Sequence, residues 1–359
     1  MSLSKHVEYY QSIMLIKKNY IKQMNQICGR KREIYKIWAH WLIRQLFNNY
    51  DNFHVLSHIQ LDTIDNEIIK HMTNNKIDTN IGMNIHNNLL VSYNRLYINH
   101  SVNHIQLFNN KCEMLELTKM LMYNENVIDD TISISFDQVP ITIRLLNRVY
   151  NKMKKLYKGD PDLFLFSLFE CCFNYYILDG KSLQWSLPNN VFSYMTDIGL
   201  SGELFASPMN SYSNVYYSIF HVDRFFGSGG SFINLINNQL MIESGGLFEV
   251  NPPFIEDIFN HSLVVIFDIL DKSKSSLGFI YIMPVWDNFE AYDNITSSKY
   301  YINHVTIDKY KHNYYQCCNN KNIMATFDTN IVVIGNSKFN ELFDVNKILN
   351  SIKSIYAKY

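Results

Sequence analysis

Four consecutive residues, Asn251-Pro252-Pro253-Phe254, follow the apolar run Leu247 to Val250 and combine groups of little use in ordinary packing. Transfer of a methyl group to an exocyclic amino group calls for such a set. The nitrogen of an aromatic amine is a poor nucleophile because its lone pair is delocalised into the ring. Two acceptors on its N–H groups can turn that pair toward an electrophile. The Asn251 side-chain oxygen and the Pro252 carbonyl can be those acceptors, while Pro252 and Pro253 stiffen the backbone that aims the carbonyl. Phe254 offers a ring on which a flat base can stack. No separate general base is demanded, since the proton becomes acidic only once methyl transfer begins. The same chemistry serves any planar amino group, so adenine in RNA, adenine in DNA and a protein glutamine all stay open, as does a silent RNA-binding scaffold. The competing reading of Pro252-Pro253 is a turn that only ends a strand.

In open α/β sheets ligands bind in loops beyond the carboxyl ends of the strands. Two more loops carry suitable residues: Phe205-Ala206-Ser207-Pro208-Met209-Asn210, and Gly227-Ser228-Gly229-Gly230-Ser231 between Phe226 and Phe232. Glycine lets a backbone approach a ligand closely. The second loop lacks the G-x-G-x-x-G spacing and a following lysine, which excludes a dinucleotide fingerprint and a P-loop. Pro208 and Asn251 lie 43 positions apart, short for three β-α units, so a compact or rearranged sheet is expected.

The elements that position these loops follow from periodicity. Leu204 to Ala206, Gln239 to Glu243, Leu247 to Val250, Leu277 to Met283 and Asn330 to Ile334 are short apolar runs separated by glycine- and proline-bearing loops, with helical patterns between several of them. That alternation predicts an α/β domain over residues 161–359. Residues 1–160 read as mainly helical. An amphipathic pair spans Val7 to Asn48 with a break at Cys28-Gly29, Glu113 to Tyr123 forms a further helix, and Thr131 to Phe136 alternates as a strand. After Pro140, Ile143 to Leu156 reads as one helix carrying Arg144, Arg148, Lys152, Lys154 and Lys155; Leu163 to Leu178 reads as a buried helix, and another begins at Val191 to Met195. Residues 51–110 are rich in Asn, His and Asp and predict short elements and loops.

Composition bounds the rest. The chain has 359 residues, 47% hydrophobic and 14% aromatic, with a net charge of -1. That charge gives no global attraction to nucleic acid or an anionic membrane, so any RNA contact must use local patches such as Arg144 and Arg148. The heavy use of Asn, Ile, Lys and Tyr looks like the imprint of an AT-rich genome, as in some large DNA viruses and protists. Six cysteines show no zinc spacing, so reduced thiols, no metal, and a cytoplasmic or nuclear location are expected. No signal peptide or membrane-spanning run is read. His312 reads as a hydrogen-bonded structural histidine.

In order and spacing, Leu204 to Asn210 (LFASPMN), Phe226 to Phe232 (FGSGGSF) and Phe248 to Glu256 (FEVNPPFIE) resemble the phosphorylated-CTD-interacting-factor family. The resemblance extends through Gly180 to Gln184, Leu187 to Phe192, Pro284-Val285-Trp286 and His312-Asn313-Tyr314. Members are cap-specific adenosine N6-methyltransferases acting on 2′-O-methyladenosine next to the mRNA cap. The resemblance implies a Rossmann-like S-adenosylmethionine-dependent methyltransferase domain preceded by a mainly helical domain that contributes to RNA or cap binding. It implies Asn251, Pro252, Pro253 and Phe254 as catalytic residues, with Asn251 and Pro252 on the amino group and Phe254 stacking. Phe205, Ala206, Ser207, Pro208, Asn210 and Gly227 to Ser231 (Gly227, Ser228, Gly229, Gly230, Ser231) would face the cofactor. Glu256 and Trp286 would contact substrate, with Arg144 and Arg148 on the triphosphate or RNA backbone. Trp286 is followed by Asp287-Asn288-Phe289, where the family usually has a basic residue and proline. No WW domain is read, so capped mRNA is the implied partner, and a polymerase-tail partner is not; a member from a large DNA virus would act in a cytoplasmic viral factory.

Overall fold

A computed structural model describes residues 4–28, 31–48, 66–74, 76–107, 110–136, 141–178 and 184–357. Gly29, Pro140, Gly180 to Leu183 and all of 51–65 lie outside them. The chain forms two compact units, residues 1–180 with 220–222, and residues 181–219 with 223–359. The division falls about twenty residues beyond the expected 160/161 partition.

The first unit contains seven helices among its described residues: α1 (Ser4–Cys28), α2 (Lys31–Asn48), α3 (Asn66–Asn74), α4 (Thr79–Leu107), α5 (Lys111–Lys119), α6 (Asn147–Leu156) and α7 (Phe164–Ile177). It also contains a three-stranded antiparallel sheet, β1 (Leu121–Asn126), β2 (Thr131–Phe136) and β3 (Thr142–Leu146). On α1, Tyr9, Ile13, Tyr20 and Met24 are buried at four- and seven-residue intervals, and on α2 Ile34, Ile37, Trp38, Trp41 and Leu42 recur at three- and four-residue steps. Both helices also close the end of α7. Lys17 donates to the Tyr176 carbonyl at 2.9 Å and the Trp38 indole to the Ile177 carbonyl at 2.7 Å, satisfying acceptors that a helix C-terminus leaves open.

Three expectations are corrected here. Ile143 to Leu156 is a strand and then a helix, because Ile143 and Leu145 are buried while Thr142 and Arg144 face outward with the two-residue period of β3. The helix read through Tyr123 stops at Lys119, and Leu121–Asn126 pairs with β2 in register. Within 51–110, where short elements and loops were expected, α4 runs for 29 residues.

The second unit is built on a five-stranded sheet of order β5-β6-β7-β11-β8. Its strands are β5 (Leu200–Glu203), β6 (Gly246–Val250), β7 (Leu277–Pro284), β8 (Tyr301–Ile307) and β11 (Thr329–Gly335). β5, β6 and β7 run parallel; β11 is antiparallel to both β7 and β8. A small antiparallel sheet joins β4 (Trp185–Ser186), β9 (Asn313–Gln316) and β10 (Lys321–Met324). The remaining helices are α8 (Asn189–Asp197), α9 (Gln239–Ser244), α10 (Glu256–Lys272), α11 (Glu290–Thr296), α12 (Ser337–Leu342) and α13 (Val345–Tyr356).

Every residue of β7 is buried, so its side chains supply both faces of the sheet. Phe279, Tyr281 and Met283 pack with Phe259, Leu263, Ile266 and Ile269 of α10 and with Ala291 and Ile295 of α11. Ile280 and Ile282 pack with Val191 and Phe192 of α8, Phe339 of α12, and Ile348 and Ile352 of α13. Helices therefore cover both faces, as in other α/β sheets. Two of the expected strand runs are corrected. Leu204-Phe205-Ala206 lies just beyond β5, and Gln239 to Glu243 is helical because the Asn238 side chain caps it, accepting from the Met241 amide at 3.1 Å.

Candidate functional site

Because β5, β6 and β7 are parallel neighbours, the segments that follow them emerge at one edge of the sheet. Those segments begin at Leu204, Asn251 and Val285. Asn251-Pro252-Pro253-Phe254 thus occupies the middle of three adjacent strand ends, between buried Val250 and the start of α10.

The turn is fixed by its own bonds. The Ile255 amide donates to the Pro253 carbonyl at 2.7 Å, and the Ile258 and Phe259 amides donate to the Ile255 carbonyl at 3.0 and 3.2 Å as α10 begins. Among the described residues no donor is found on the Pro252 carbonyl. Proline contributes no N–H at 252 or 253, so this loop presents acceptors and a ring. The Phe254 ring sits among Phe259, Trp286, Tyr314 and Phe327 at centroid distances of 6.1, 6.4, 6.1 and 5.5 Å. Trp286, which follows β7, is 39% exposed and also packs on Phe289 at 4.9 Å. An aromatic wall with one partly open indole therefore flanks the Asn251 loop.

Tyr314 is held in that wall by a directed chain of hydrogen bonds. The buried His312 donates from Nδ1 to the Asp308 carbonyl at 3.1 Å, which leaves Nε2 to accept from Thr329 Oγ1 at 2.8 Å. Thr329 in turn accepts from the Tyr314 hydroxyl at 2.9 Å. Burial pushes the His312 pKa below its ordinary value, as the neutral tautomer requires. A depressed folded-state value gives a contribution to stability that is present above the unfolded value near 6.5 and is lost as pH falls through the folded value. The melting temperature is therefore expected to fall between pH 7 and pH 5. His312→Leu should cost about 2–3 kcal/mol at neutral pH by stranding both partners and should flatten that slope. Thermal melts across the range check both, and an unchanged slope in the variant would assign the pH dependence elsewhere.

The segment after β5 is tightly self-bonded. The Ser207 amide donates to Asn210 Oδ1 at 2.6 Å, Ser207 Oγ donates to Gln184 Oε1 at 2.5 Å, and the Asn210 amide donates to Ser207 Oγ at 3.2 Å. Ala206 donates to the Tyr217 carbonyl at 2.9 Å, so the chain near Tyr216 lies along the outer side of β5. The glycine loop hangs from this chain. Its amides at Gly227, Ser228 and Gly229 donate to the carbonyls of Arg224, Asp223 and Tyr216, and Gly230 donates to Ser228 Oγ. A Cβ at Gly229 would lie 2.7 Å from the Tyr217 ring, so that glycine is required by the protein's own packing. Phe205 meets Phe232 at 4.5 Å, which ties the two loops together. Four amides of the loop are thus already engaged, the Gly230 and Ser231 carbonyls accept from the Ser218 and Asn234 amides, and Ser231 Oγ accepts from the Ile233 amide.

The other sequence-derived residues are placed as follows. Glu256 lies in the first turn of α10 and accepts from the Glu290 amide at 3.0 Å, anchoring the start of α11. Arg144 on β3 and Arg148 on α6 are exposed and belong to the first unit. Among the described residues no cluster of His, Cys, Asp or Glu is placed to hold a metal, and no helix is long and apolar enough to cross a membrane.

Sequence reasoning missed a buried pair of carboxyls. Glu203 and Glu249 face each other across β5 and β6, each 2% exposed. Glu203 Oε1 accepts from the Tyr212 and Ser213 amides at 2.7 and 2.5 Å. Burial, then the Glu203 charge, push the Glu249 pKa well above the ordinary carboxylate range. A charged residue inside the apolar run Leu247-Phe248-Glu249-Val250, two before Asn251, was the available signal.

A family model described as "Phosphorylated CTD interacting factor 1 WW domain" matches residues 145–317, a stretch that contains all the loops above. The human protein named mRNA (2'-O-methyladenosine-N(6)-)-methyltransferase is 29% identical over 195 residues, covering 52% of this chain and 24% of the relative. A mouse protein of the same name is 26% identical over 225 residues, covering 60% of this chain and 28% of the relative. The chain spans about a quarter of the length of the curated relatives it matches. The expected absence of a WW domain is not borne out, since the matching family model carries that domain in its description; the ground for setting aside a polymerase-tail partner falls with it. The expected viral origin finds no support in these two mammalian relatives.

Proposed function

We propose that the chain belongs to the phosphorylated-CTD-interacting-factor family and is an S-adenosylmethionine-dependent RNA adenosine N6-methyltransferase. Its substrate in this reading is 2′-O-methyladenosine at the first transcribed nucleotide of capped mRNA. The observation that carries the reading is the Asn251-Pro252-Pro253-Phe254 loop at the carboxyl end of β6, flanked by the loops after β5 and β7, with the Pro252 carbonyl unengaged. The similarity to two proteins named as mRNA methyltransferases supports the same chemistry.

The parallel order β5-β6-β7 supports a Rossmann-like reading of the sheet in which β5 takes the role of the central strand. A second half beyond β5 is replaced by the chain from Phe205 to Asn238, which accounts for the short spacing between Pro208 and Asn251. S-adenosylmethionine, when bound, supplies the electrophilic methyl group. In this reading Phe205, Ala206, Ser207, Pro208, Asn210 and the loop from Gly227 to Ser231 line the cofactor side after β5, with the Phe205 ring and the carbonyls of Gly227 to Gly229 as the groups that meet the ligand. Asn251 Oδ1 and the Pro252 carbonyl accept the two N–H bonds of the adenine amine. Pro253 locks the turn, and Phe254 stacks on the base with Trp286 beside it. Glu256 acts on the substrate side through the start of α11, while Arg144 and Arg148 of the mainly helical first unit grip phosphate.

The test is methyl transfer from labelled cofactor to capped RNA beginning with 2′-O-methyladenosine, to the same RNA uncapped, and to adenine-containing DNA. The capped RNA is expected to lead by roughly tenfold or more in kcat/KM. Equal rates on all three would sink cap specificity, and transfer to DNA alone would replace the reading with a DNA methyltransferase.

A further inference from the structure

We propose that the Tyr310 ring is a stacking platform for a base of the substrate RNA splayed away from the target adenosine; the assignment rests on the reading of the Asn251 loop as the site that holds that adenosine's amine. The topology puts the tyrosine on the substrate side. β11 is antiparallel to both β7 and β8, so β8 runs in the direction of β7, and Thr329 pairs with both Pro284 and Ile307. The segment Asp308-Lys309-Tyr310-Lys311 after β8 therefore emerges at the same sheet edge as the segments that begin at Leu204, Asn251 and Val285, where open α/β sheets take their ligands. Asp328 fastens it to the site. Its carbonyl accepts from the Val285 amide at 2.9 Å, next to Trp286, and its Oδ1 accepts from the Lys309 amide at 2.6 Å.

The turn is rigid and yet leaves this ring outside. Three consecutive amides are engaged: that of Lys309 by Asp328, that of Tyr310 by the Ala325 carbonyl at 2.8 Å, and that of Lys311 by the Asp308 carbonyl at 3.2 Å. They hold Tyr310 at a φ of 63°, a left-handed conformation that asparagine, aspartate and glycine adopt far more readily. The ring is 57% exposed, and among the described residues no other ring packs on it. Packing therefore does not account for a tyrosine where asparagine would make the same turn with less strain. Lys309 and Lys311 flank the ring, and among the described residues neither forms an ion pair. The turn's own carboxylate is Asp308, and Asp328 is engaged by the Lys309 amide. An open ring between two ammonium groups suits a base and its adjoining phosphate. The ends of β6 and β8 are three strand spacings apart, roughly 14 Å, against about 3.4 Å between stacked neighbours. The base taken by Tyr310 is thus unstacked from the target, as bases of single-stranded RNA bound on rings are. Two bases of a capped RNA flank the target: the cap guanine across the triphosphate and the nucleotide on the 3′ side. Both offer the same flat face.

Tyr310→Asn and Tyr310→Phe in the full chain test this. Fluorescence anisotropy measures binding of three labelled probes: a capped oligonucleotide beginning with 2′-O-methyladenosine, the same oligonucleotide uncapped, and the capped 2′-O-methyladenosine with nothing on its 3′ side. Calorimetric titration with S-adenosylmethionine and the melting temperature accompany it. Tyr310→Asn is expected to weaken the capped oligonucleotide about tenfold, and Phe, which keeps the ring, to stay within about twofold of wild type. The melting temperature of the Asn variant should not drop, because asparagine tolerates the backbone that tyrosine strains. A loss that persists without the cap and vanishes on the capped nucleotide assigns the ring to the 3′ base; the reverse pattern assigns it to the cap guanine. Either supports the proposal. Wild-type affinity of Tyr310→Asn for all three probes, with an active wild type, would overturn it while leaving the methyltransferase reading intact. An equal loss on all three, a lower melting temperature or weaker cofactor binding would make Tyr310 a residue of the fold or of the target pocket, and would also overturn it. A wild type inactive on every amino substrate and without affinity for the cofactor would sink both.

Discussion

Asn251→Ala is expected to slow methyl transfer about 10³-fold at saturating substrate while leaving the melting temperature within about 2 °C of wild type. The substitution removes the one side-chain acceptor at the middle strand end, leaving the Pro252 carbonyl to hold the amine by a single bond. One bond permits rotation about the carbon–nitrogen axis, and the lone pair then returns to conjugation with the ring. The loss belongs in kcat more than in KM, because the acceptors matter most as the nitrogen takes on positive charge. Stability is little affected because the turn itself is set by the Pro253 and Ile255 carbonyls. Single-turnover rates with labelled cofactor measure the effect, and turnover within tenfold of wild type would move the chemistry to another loop.

A loss of stability as large as that expected at His312 lies at the opposite end of the sheet. Gly278 on β7 is the register partner of Gly335 on β11, and the buried ring of Phe339 lies across both. A Cβ at Gly278 would sit 2.5 Å from two atoms of that ring, and one at Gly335 2.7 Å from another. The ring is packed against Phe343 at 4.5 Å and has no room to retreat. Gly278→Ala should therefore destabilise the protein by about 2–3 kcal/mol, with overpacking outweighing the gain from a less flexible unfolded chain. For a unit of this size, residues 181–219 with 223–359, that corresponds to a fall of roughly 4–12 °C. Gly278→Ala with Phe339→Leu should recover part of the loss, because the two changes share one contact. Denaturant unfolding of both single variants and the double variant checks this, and strict additivity would mean the clash is not the cause.

What could be read from the sequence divides along physical lines. Runs buried on both faces stand out: β6, β7, β11 and α7 emerge near their expected bounds because apolar residues dominate a strand or helix with little solvent face, even where a buried Glu249 or Glu170 interrupts the run. Thr131–Phe136 is matched residue for residue because strict alternation has no helical counterpart. Ile143 to Leu156 fails for the converse reason, since a five-residue alternation running directly into a helix looks like one longer helix. Edge strand β8, with Asn303, His304 and Thr306 among half-buried neighbours, has no run to notice. At the site, residues that act through backbone geometry and rings were legible as a motif. Glu203 and His312 act through partners 9 to 17 positions away, and only the fold brings those partners into reach.

On one side the sheet ends at β5, with only the bridge between Glu203 and Tyr216 beyond it. The wall that would face the cofactor is thus irregular chain held by turns, hydroxyls and caps, whereas the wall that holds Asn251 is a strand locked between two neighbours. Irregular segments of this kind open at much lower free energy than central strands. In the proposed reading the two sides of the site therefore differ in what a ligand does to them. On the Asn251 side it meets a surface already set; on the Phe205 to Ser231 side part of the interaction energy goes into ordering the protein. Cofactor affinity in that reading is linked to the stability of the stretch, and a substitution there that touches no ligand atom changes binding by changing how much order remains to be made.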